Sequence, residues 1–435
     1  MRTGVFKIRD ESGREVGYAK LHLRVEPDGS GVLVVNANHL LYLNRTAVEH
    51  IKLILEGRSV DEAAREISRR FRVSRRRAKR EHERILLALE ALIRGREVCP
   101  FSYLGVKPID PFTKEPKAPY RVDLALTYRC NNMCIHCYSS SPREKPELTT
   151  EEWRRVLEKL ADLEVPQLVF TGGEPTLRED LVELVEYAQG LGFVTGLITN
   201  GRLLSKLAEP LAKAGLDFTQ VTVESHRPEV HDSITRVEGS WSETIAGVKA
   251  SLEAGIYTTT NTTLMKLNHL EVEELVEFLT GLGVKAIGFN SIIHAGRGAL
   301  APVALSISEV GEALDKAKHK AHELGVPVVW YKPTRYCDLN PVEMGLGVRA
   351  CSAARITLCI EPDGTAIPCQ SWFKPLGNIL EDSWESIWDS EEAKWIRRAG
   401  WLPEECKGCE WAKVCRGGCP LDPLEKKPGC GECYP

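Results

Sequence analysis

The sequence predicts an α/β protein in which a parallel sheet with outer helices is preceded by a small α+β domain and followed by a cysteine-rich domain. Three observations support this class. Strand-like and helix-like stretches alternate from about residue 121 to 330, which is typical of a parallel sheet covered by helices. Within residues 1–96, strand-like stretches precede three helical patterns, and ten of the fourteen cysteines lie beyond residue 330.

The overall composition disfavours several classes of protein. A net charge of −4 over 435 residues provides no field that would attract nucleic acid or an anionic membrane. No apolar run reaches the length of a membrane span, and the N-terminus lacks the apolar core of a signal peptide, so we expect a cytoplasmic protein. In a reducing compartment, clustered cysteines indicate metal binding rather than disulfides. Cys359 lies in an apolar run and is expected to be a core residue.

The first domain, residues 1–96, has strand-like stretches at residues 5–8, 17–25 and 31–42. Helical patterns follow at 46–55, after a capping-box signature at Ser59, and from Ser74 to about residue 93. A dense basic run covers the second and third helices: Arg69, Arg70, Arg72, Arg75, Arg76, Arg77, Lys79 and Arg80. Three interpretations are open for this run: a solvated helix face, a peptide-binding surface, or the basic helix of a winged-helix domain that binds nucleic acid. Nucleic-acid binding is the least favoured of the three.

The middle of the chain begins with a segment rich in proline, residues 97–120, which we interpret as a linker over the surface of the next domain. In residues 121–330, strands are expected near 122–127, 167–171, 194–199, 218–224, 257–263 and 286–292. Helices are expected between them, as at 150–163 and 178–191. Functional side chains should then lie at the carboxyl ends of the strands.

Two motifs follow the first two strands. Cys130, Cys134 and Cys137 form a Cys-x3-Cys-x2-Cys pattern. Three thiolates on one loop hold three irons of a 4Fe–4S cluster and leave the fourth iron open for a small molecule, whereas a structural zinc site takes four ligands. After the second strand, two glycines precede Glu174. Glycines let backbone approach a ligand closely, and a carboxylate receives an ammonium group.

Together these motifs resemble the radical S-adenosylmethionine (SAM) superfamily. The resemblance implies a partial, open (βα)6 barrel and a SAM-binding 4Fe–4S cluster on the three cysteines of the first motif. It also implies that Gly172, Gly173 and Glu174 hold the methionine amino group of SAM. Four further contacts to SAM are implied in the same way: Asn200, Thr222, Glu224 and Arg236. Residues at the ends of the fifth and sixth strands either line the pocket or satisfy backbone groups: Thr260, Asn261 and Asn290.

The C-terminal cysteines, in residues 331–435, show a second pattern. Cys351 and Cys369 flank a predicted hairpin turn at Gly364, and a Cys-x2-Cys-x5-Cys-x3-Cys run follows. This pattern resembles the SPASM extension of radical enzymes, which holds two auxiliary 4Fe–4S clusters. The resemblance assigns one cluster to Cys337, Cys351, Cys369 and Cys419. It assigns the other to Cys406, Cys409, Cys415 and either Cys430 or Cys433. Without Cys337 the first cluster has an open iron, and a zinc ribbon is the alternative for the dense run.

The N-terminal domain has its own resemblance. Its strands followed by three helices, and the sequence at residues 41–47 and 55–62, are similar to PqqD-like peptide-recognition domains of enzymes that modify ribosomally made peptides. Acidic leader peptides would suit the basic face of such a domain.

The resemblances imply an enzyme that uses SAM and three 4Fe–4S clusters and forms a 5′-deoxyadenosyl radical. The radical abstracts hydrogen from a ribosomally made peptide or protein, and the enzyme thereby crosslinks or otherwise oxidises that substrate. The implied partners are that precursor and an electron donor such as ferredoxin or flavodoxin, in an anaerobic setting. Gln370 follows Cys369 where sulfatase-maturing relatives have a carboxylate base, so the oxidation chemistry of those relatives is disfavoured and the base stays unassigned. The alternatives are a cofactor-biosynthesis enzyme, for tetrapyrrole side-chain or tungsten-cofactor maturation, and a non-catalytic iron–sulfur or zinc regulator that binds DNA.

Overall fold

The computed structural model describes residues 2–9, 15–26, 28–35, 39–93, 115–406 and 408–423. Contacts divide the chain into two compact units: one holds the described residues up to Pro116 together with 159–166 and 191–194, and the other holds the rest. Most of the predicted linker, and both Cys430 and Cys433, lie outside the described residues. Among the helices that are described, none is long and apolar enough to cross a membrane.

The N-terminal unit combines a sheet with three helices. Four strands pair antiparallel in chain order: β1 (Arg2–Arg9), β2 (Glu15–Val25), β3 (Gly31–Val35) and β4 (His39–Leu43). The helices that follow are α1 (Arg45–Leu55), α2 (Val60–Phe71) and α3 (Arg75–Ile93). Leu21, Leu33, Ile51 and Leu89 bury apolar surface together, and they join the sheet to α1 and α3 in one core.

The single strand predicted over residues 31–42 is wrong, because this stretch is the β3–β4 hairpin with Leu33 opposite Leu41. Apolar residues on both arms resemble one strand in the sequence, and the asparagines at 36 and 38, which turns favour, were the available signal of a reversal. The predicted helix caps are confirmed. Ser59 and Glu62 form a reciprocal capping box, and Arg77 N donates to Ser74 Oγ at 3.3 Å.

The second unit is built on a sheet with ten strands among the described residues. Six lie where the alternation predicts them: β5 (Arg121–Thr127), β6 (Gln167–Gly172), β7 (Val194–Thr199), β8 (Phe218–Thr222), β9 (Tyr257–Leu264) and β10 (Ile287–Ser291). β5 pairs in parallel with β6, and the register is parallel from β7 to β10. The carboxyl ends of these strands therefore meet at one edge, as in a βα barrel.

Helices alternate with these strands and cover the sheet. In chain order they are α4 (Thr150–Asp162), α5 (Leu181–Gly190), α6 (Leu204–Lys213), α7 (Pro228–Thr235), α8 (Ser240–Glu253), α9 (Val272–Leu282) and α10 (Ile307–Leu324). Three short helices follow in the C-terminal part: α11 (Trp384–Trp388), α12 (Glu391–Arg397) and α13 (Ala412–Cys415). The predicted α/β class, with strands and helices in alternation, is confirmed.

Strands outside the predicted six extend the sheet at both sides. β11 (Val328–Trp330) pairs in parallel with β10. On the opposite side, β12 (Thr357–Ile360) pairs in parallel with β5 and is followed by the antiparallel β13 (Thr365–Ile367) and β14 (Gly377–Asn378). Cys359 is fully buried in β12, as expected of a core residue. The C-terminal cysteine region therefore shares its sheet with the barrel.

The described end of the predicted linker lies along the C-terminal region. Tyr120 N donates to Ile356 O at 2.8 Å, and Trp384 Nε1 donates to Lys117 O at 3.0 Å. These bonds lead the chain directly into β5, where the barrel begins.

Candidate active site

The loop after β5 brings the three cysteines of the first motif to one cleft. Cys130, Cys134 and Cys137 all line one cleft at the carboxyl ends of the strands. The loop is anchored from outside by α7, because Met133 N and Ile135 N donate to the last carbonyls of that helix at 2.9 and 3.0 Å. The predicted convergence of the three thiols on one site is therefore present in the structure.

Burial disfavours free thiolates at this loop. It raises the pKa of Cys130 to about 12 and also raises the pKa of Cys134, and the nearby Cys137 adds to both effects. A buried thiol becomes a thiolate ligand when bound metal compensates its charge. Three such thiols around one cleft fit an iron–sulfur cluster by their donor chemistry, and Cys130, Cys134 and Cys137 are the residues that would hold it.

The two glycines at the end of β6 are required by a close approach to the cysteine loop. Gly172 has φ +142°, and a Cβ atom there would lie 2.2 Å from Thr127 O. A Cβ atom at Gly173 would lie 2.4 Å from Arg129 O. Gly173 N donates to Thr127 O at 2.7 Å, which closes β6 onto the loop. Both glycines line the cleft, as the predicted contact with SAM requires.

Glu174 is fully buried behind the wall of the cleft. Its carboxylate accepts hydrogen bonds from Thr199 Oγ1 and Asn200 N, each at 2.7 Å, and from Thr176 N at 3.1 Å. Burial raises the pKa of Glu174, and these hydrogen bonds oppose that rise. The carboxylate therefore ties the end of β6 to the end of β7, and its contact with the SAM ammonium stays a prediction.

The other four residues predicted to contact SAM are placed differently from one another. Asn200 lines the cleft, and its Nδ2 donates to Asn131 Oδ1 at 2.6 Å. Thr222 is half-buried at the end of β8, and Arg236 is exposed just after α7. Neither is among the residues that line the cleft. The side chains of Thr222 and Arg236 do not reach the cleft in this structure, and their contacts with SAM stay predictions.

Glu224 is fully buried beside the cysteine loop rather than at the cleft surface. His136 Nε2 lies 3.0 Å from Glu224 Oε1, and Thr263 N donates to Glu224 Oε2 at 3.0 Å. Burial is the main cause of the raised pKa of Cys134, and the charge of Glu224 raises this pKa further. The carboxylate thus contacts the residue next to Cys137 and orders the wall that carries the cysteines.

Three neutral amides line the same cleft as the cysteines. Gln220, Asn261 and Asn290 come from β8, β9 and β10, and Asn290 Nδ2 donates to Asn261 Oδ1 at 3.3 Å. Of the residues expected either to line the pocket or to satisfy backbone groups, Asn261 and Asn290 line the cleft, whereas Thr260 does not. Gln220 was missed by the sequence analysis, although it lies two residues before Thr222 and so on the same strand face.

One hydrogen bond joins the cysteine loop to the C-terminal hairpin across the cleft. Tyr138 Oη donates to Gln370 Oε1 at 3.2 Å, and both side chains line the cleft. Tyr138 follows Cys137, and Gln370 follows Cys369. Gln370 is therefore a neutral partner of the cysteine loop.

Three of the C-terminal cysteines come together from distant parts of the chain. Burial raises the pKa of Cys351, Cys369 and Cys419 to about 12, and each is close enough to another of the three to add to this rise. Cys337, the fourth residue of this predicted set, is exposed. The structure thus gathers three of the four predicted ligands without deciding the place of Cys337.

The second C-terminal set lies within a short stretch of chain. Cys409 N donates to Cys406 O at 3.2 Å, and both cysteines are partly exposed. Cys415 is buried, and its Sγ accepts from Tyr336 N at 3.3 Å. In the part of the chain that the structure describes, no group of three or more His, Cys, Asp or Glu side chains is arranged to hold a metal ion as it stands.

Family models match two parts of the chain. The model described as the Radical SAM superfamily matches residues 124–279, which include the cysteine loop and the glycines of the cleft. The SPASM model, described as an iron–sulfur cluster-binding domain, matches residues 351–410. Both matches fall where the sequence motifs predict them.

Individual proteins extend these matches. PqqA peptide cyclase from Rhizobium meliloti (strain 1021) is 32% identical over 311 residues, which span 68% of this chain and 80% of that protein. Fe-coproporphyrin III synthase from Methanosarcina barkeri (strain Fusaro / DSM 804) is 28% identical over 67% of this chain and 81% of its own. The crystal structure of Streptococcus suis SuiB bound to precursor peptide SuiA has a TM-score of 0.68 at 16% identity and covers 92% of this chain and 94% of its own, which shows a shared fold. The chain therefore belongs to the radical SAM superfamily, among the members with a SPASM domain, and is an enzyme that uses SAM and iron–sulfur clusters.

Proposed function

We propose that this radical SAM enzyme modifies a ribosomally made peptide or protein by crosslinking side chains or by a related oxidation. The observation that carries the proposal is the 32% identity to PqqA peptide cyclase over 68% of the chain. The fold shared with SuiB supports it, because that structure holds a precursor peptide and the match covers 92% of this chain.

Three 4Fe–4S clusters are proposed. The cysteine loop would hold the SAM-binding cluster in the cleft. Cys337, Cys351, Cys369 and Cys419 would hold one auxiliary cluster. Cys406, Cys409, Cys415 and either Cys430 or Cys433 would hold the other. When bound, SAM and the reduced cluster supply a 5′-deoxyadenosyl radical that abstracts hydrogen from the substrate, and a ferredoxin or flavodoxin is the proposed electron donor.

The residues of the cleft position the reactants and exclude water. Gly172 and Gly173 present backbone without side chains next to the cysteines, where the methionine end of SAM is proposed to lie. The amides of Gln220, Asn261 and Asn290 offer donors and acceptors without adding charge beside the thiolates. Such a lining suits the ribose of SAM or the backbone of a peptide, both of which are polar and uncharged.

The N-terminal domain, residues 1–96, is proposed to be a PqqD-like domain that binds an acidic leader peptide. Part of the basic run on α2 and α3 is neutralised within the domain: Arg70 pairs with Glu49 at 2.5 Å, and Lys79 pairs with Asp61 at 3.1 Å. Four arginines are exposed and form no ion pair with a described residue: Arg69, Arg72, Arg76 and Arg80. These four, named here the arginine face, offer charge to an acidic partner.

The remaining domain boundaries are proposals of the same kind. We assign residues 97–120 to a linker, 121–330 to the radical SAM barrel and 331–435 to the SPASM domain. Residues 124–279 and 351–410, which match the two family models, fall inside the last two ranges.

The proposal is tested with anaerobically reconstituted enzyme, SAM, dithionite or a reduced ferredoxin, and a candidate precursor encoded by a short open reading frame beside the gene. We expect deoxyadenosine together with a peptide product that has lost two hydrogen atoms for each crosslink. Absence of deoxyadenosine contradicts the radical chemistry. Deoxyadenosine with an unchanged peptide contradicts the choice of substrate.

A second candidate function is cofactor biosynthesis, and the observation that favours it is the 28% identity to Fe-coproporphyrin III synthase. A tetrapyrrole or tungsten-cofactor enzyme needs no leader recognition. Deletion of residues 1–96 therefore distinguishes the two functions. Loss of both turnover and peptide affinity supports the peptide maturase, whereas unchanged turnover of a tetrapyrrole supports the alternative.

A further inference from the structure

The short segment after β10 lies directly against the cysteine loop. A Cβ atom at Gly296, where φ is +53°, would lie 2.4 Å from Tyr138 O. A Cβ atom at Gly298 would lie 2.8 Å from His136 O. Any side chain at either position would push the loop away. The two glycines therefore let the residue between them, Arg297, reach the backbone of the loop.

Arg297 binds three backbone carbonyls of the loop. Its backbone N donates to Cys137 O at 2.9 Å, and its Nε donates to Cys134 O at 2.9 Å. Its Nη2 donates to Ser141 O. The planar guanidinium thus bridges two points of the loop on either side of Cys137, which a single donor cannot do. This arrangement holds two of the three cluster cysteines in a fixed relation.

Arg297 forms no ion pair with any residue that the structure describes, and its side chain is half-buried. Its Nε is held 2.9 Å from Cys134 O, so the cation lies against the loop that carries the three cysteines. Arg202 also contacts the loop, but Glu243 neutralises it at 2.5 Å.

We propose that Arg297 is a positioning residue for the SAM-binding cluster, whose guanidinium holds the cysteine loop and whose charge raises the reduction potential of the cluster. Net charge is among the factors that set such a potential, and a cube held by three thiolates is anionic when reduced. The proposal concerns the cluster alone, so it holds whichever substrate the enzyme takes.

The test compares Arg297→Gln and Arg297→Lys with the wild type after anaerobic reconstitution. Occupancy of this site is measured as the iron content of each protein minus that of a Cys130→Ala/Cys134→Ala/Cys137→Ala variant. The potential is measured on the EPR signal that changes when SAM is added. Residues that orient metal ligands typically contribute about 10- to 100-fold in metal affinity, and we expect Arg297→Gln to lose that much. We also expect its potential to become more negative.

Arg297→Lys separates the two roles, because it keeps the charge but loses the planar fork. We expect weaker iron retention and a potential close to that of the wild type. Gly298→Ala displaces the loop without changing charge, and it should behave in the same way. Arg227→Gln is the matched control, since Arg227 is exposed and pairs with Glu229 and Glu271 on the barrel surface. Arg227→Gln should change neither the iron retention nor the reduction potential.

Hydrogen exchange of residues 130–141 in the metal-free protein gives a readout without the cluster. Both substitutions of Arg297 should quicken it, while the control should not. Wild-type iron retention in Arg297→Gln overturns the positioning role. An unchanged potential in Arg297→Gln overturns the role of the charge. If Arg297→Gln binds too little cluster for its reduction potential to be measured, Arg297→Lys serves instead. A reduction potential of Arg297→Lys that is more negative than that of the wild type then overturns the role of the charge.

Discussion

The two compact units differ in where they keep ionisable groups. Around the cleft, Glu174 and Glu224 are fully buried at strand ends, and backbone amides donate to both carboxylates. In the N-terminal unit, His50 and His82 are buried against each other with 3.0 Å between their Nδ1 atoms. The arginine face of that unit lies on its surface.

This difference suggests a division of tasks. Glu174 and Glu224 are buried carboxylates that order the wall carrying the cysteines, so these two charges lie where they shape the cleft. The N-terminal unit exposes its charges where a partner can reach them. Variants of one unit should therefore leave the task of the other intact, and the predictions begin with loss of activity, continue with binding affinity and end with stability.

The largest effect is expected from a cysteine of the cleft. Cys134→Ala removes one of three predicted ligands of the SAM-binding cluster, so reductive cleavage of SAM should fall to background. Deoxyadenosine formed under dithionite is the measurement. Cys359→Ala is the control, because this buried thiol lies outside all three predicted cluster sets, and it should keep its cleavage activity. Wild-type cleavage by Cys134→Ala would exclude the assignment of the loop.

The arginine face is expected to affect recognition without affecting chemistry. Replacement of all four arginines by glutamine should weaken binding of an acidic precursor on the order of tenfold, or about 1.4 kcal/mol, because the complementary charge is lost. SAM cleavage without peptide should be unchanged. The control replaces four cations that are exposed or half-buried, each paired with a glutamate on its own helix: Arg155, Lys213, Lys320 and Lys394. Equal peptide affinity in the two variants argues against the arginine face.

A glycine of the cleft should matter for stability as well as for cofactor binding. In Gly173→Ala the new methyl group would lie 2.4 Å from Arg129 O, and such overpacking costs about 1–3 kcal/mol of unfolding free energy. Gly281→Ala in α9 meets no atom within 4 Å and should stabilise the protein by about 0.5–1 kcal/mol. Denaturant unfolding measures both changes. A stable Gly173→Ala variant would show that the loop can move aside.

The buried histidine pair should make the N-terminal unit sensitive to acid. Burial, with a smaller contribution from His82, lowers the pKa of His50 from 6.5 to about 4, while Glu81 acts in the opposite direction. Burial also lowers the pKa of His82, against the charge of Glu83. Between pH 6.5 and 4 the unfolded chain therefore binds more protons than the folded one, so stability falls as the pH falls.

For His50 alone the loss amounts to about 3 kcal/mol across this range. Unfolding measured from pH 7 to pH 4 should show it. His50→Leu/His82→Leu should flatten this dependence. An equally steep dependence in the double variant would assign the acid sensitivity to other groups.

Local features of the fold could be predicted from the sequence because they depend on neighbours a few residues away. The capping box at Ser59 and the six central strands are of this kind. The spacing of Cys130, Cys134 and Cys137 likewise confines them to one loop whatever the rest of the chain does. β11 and β12 are short, three and four residues, and they become strands because an existing sheet edge receives them.

The predictions for the site were weaker where a side chain has a choice of partners. Glu174 was expected to face the ligand, yet Thr199 and Asn200, from another strand, offer it donors behind the wall. Arg297 carried no motif that the sequence analysis singled out, because its partners are backbone carbonyls of a loop far away in the chain. Arg236 was assigned by resemblance alone and is exposed.

The pairing of β12 with β5 has a consequence for how this protein can be divided. If the chain were cut at residue 330, the first strand of the barrel would present a row of unpaired N–H and C=O groups, a template for strands of other molecules. Such a fragment should precipitate or self-associate rather than persist as a smaller enzyme. Because β12 and β5 share this edge, we expect the barrel and the C-terminal cysteine region to fold together.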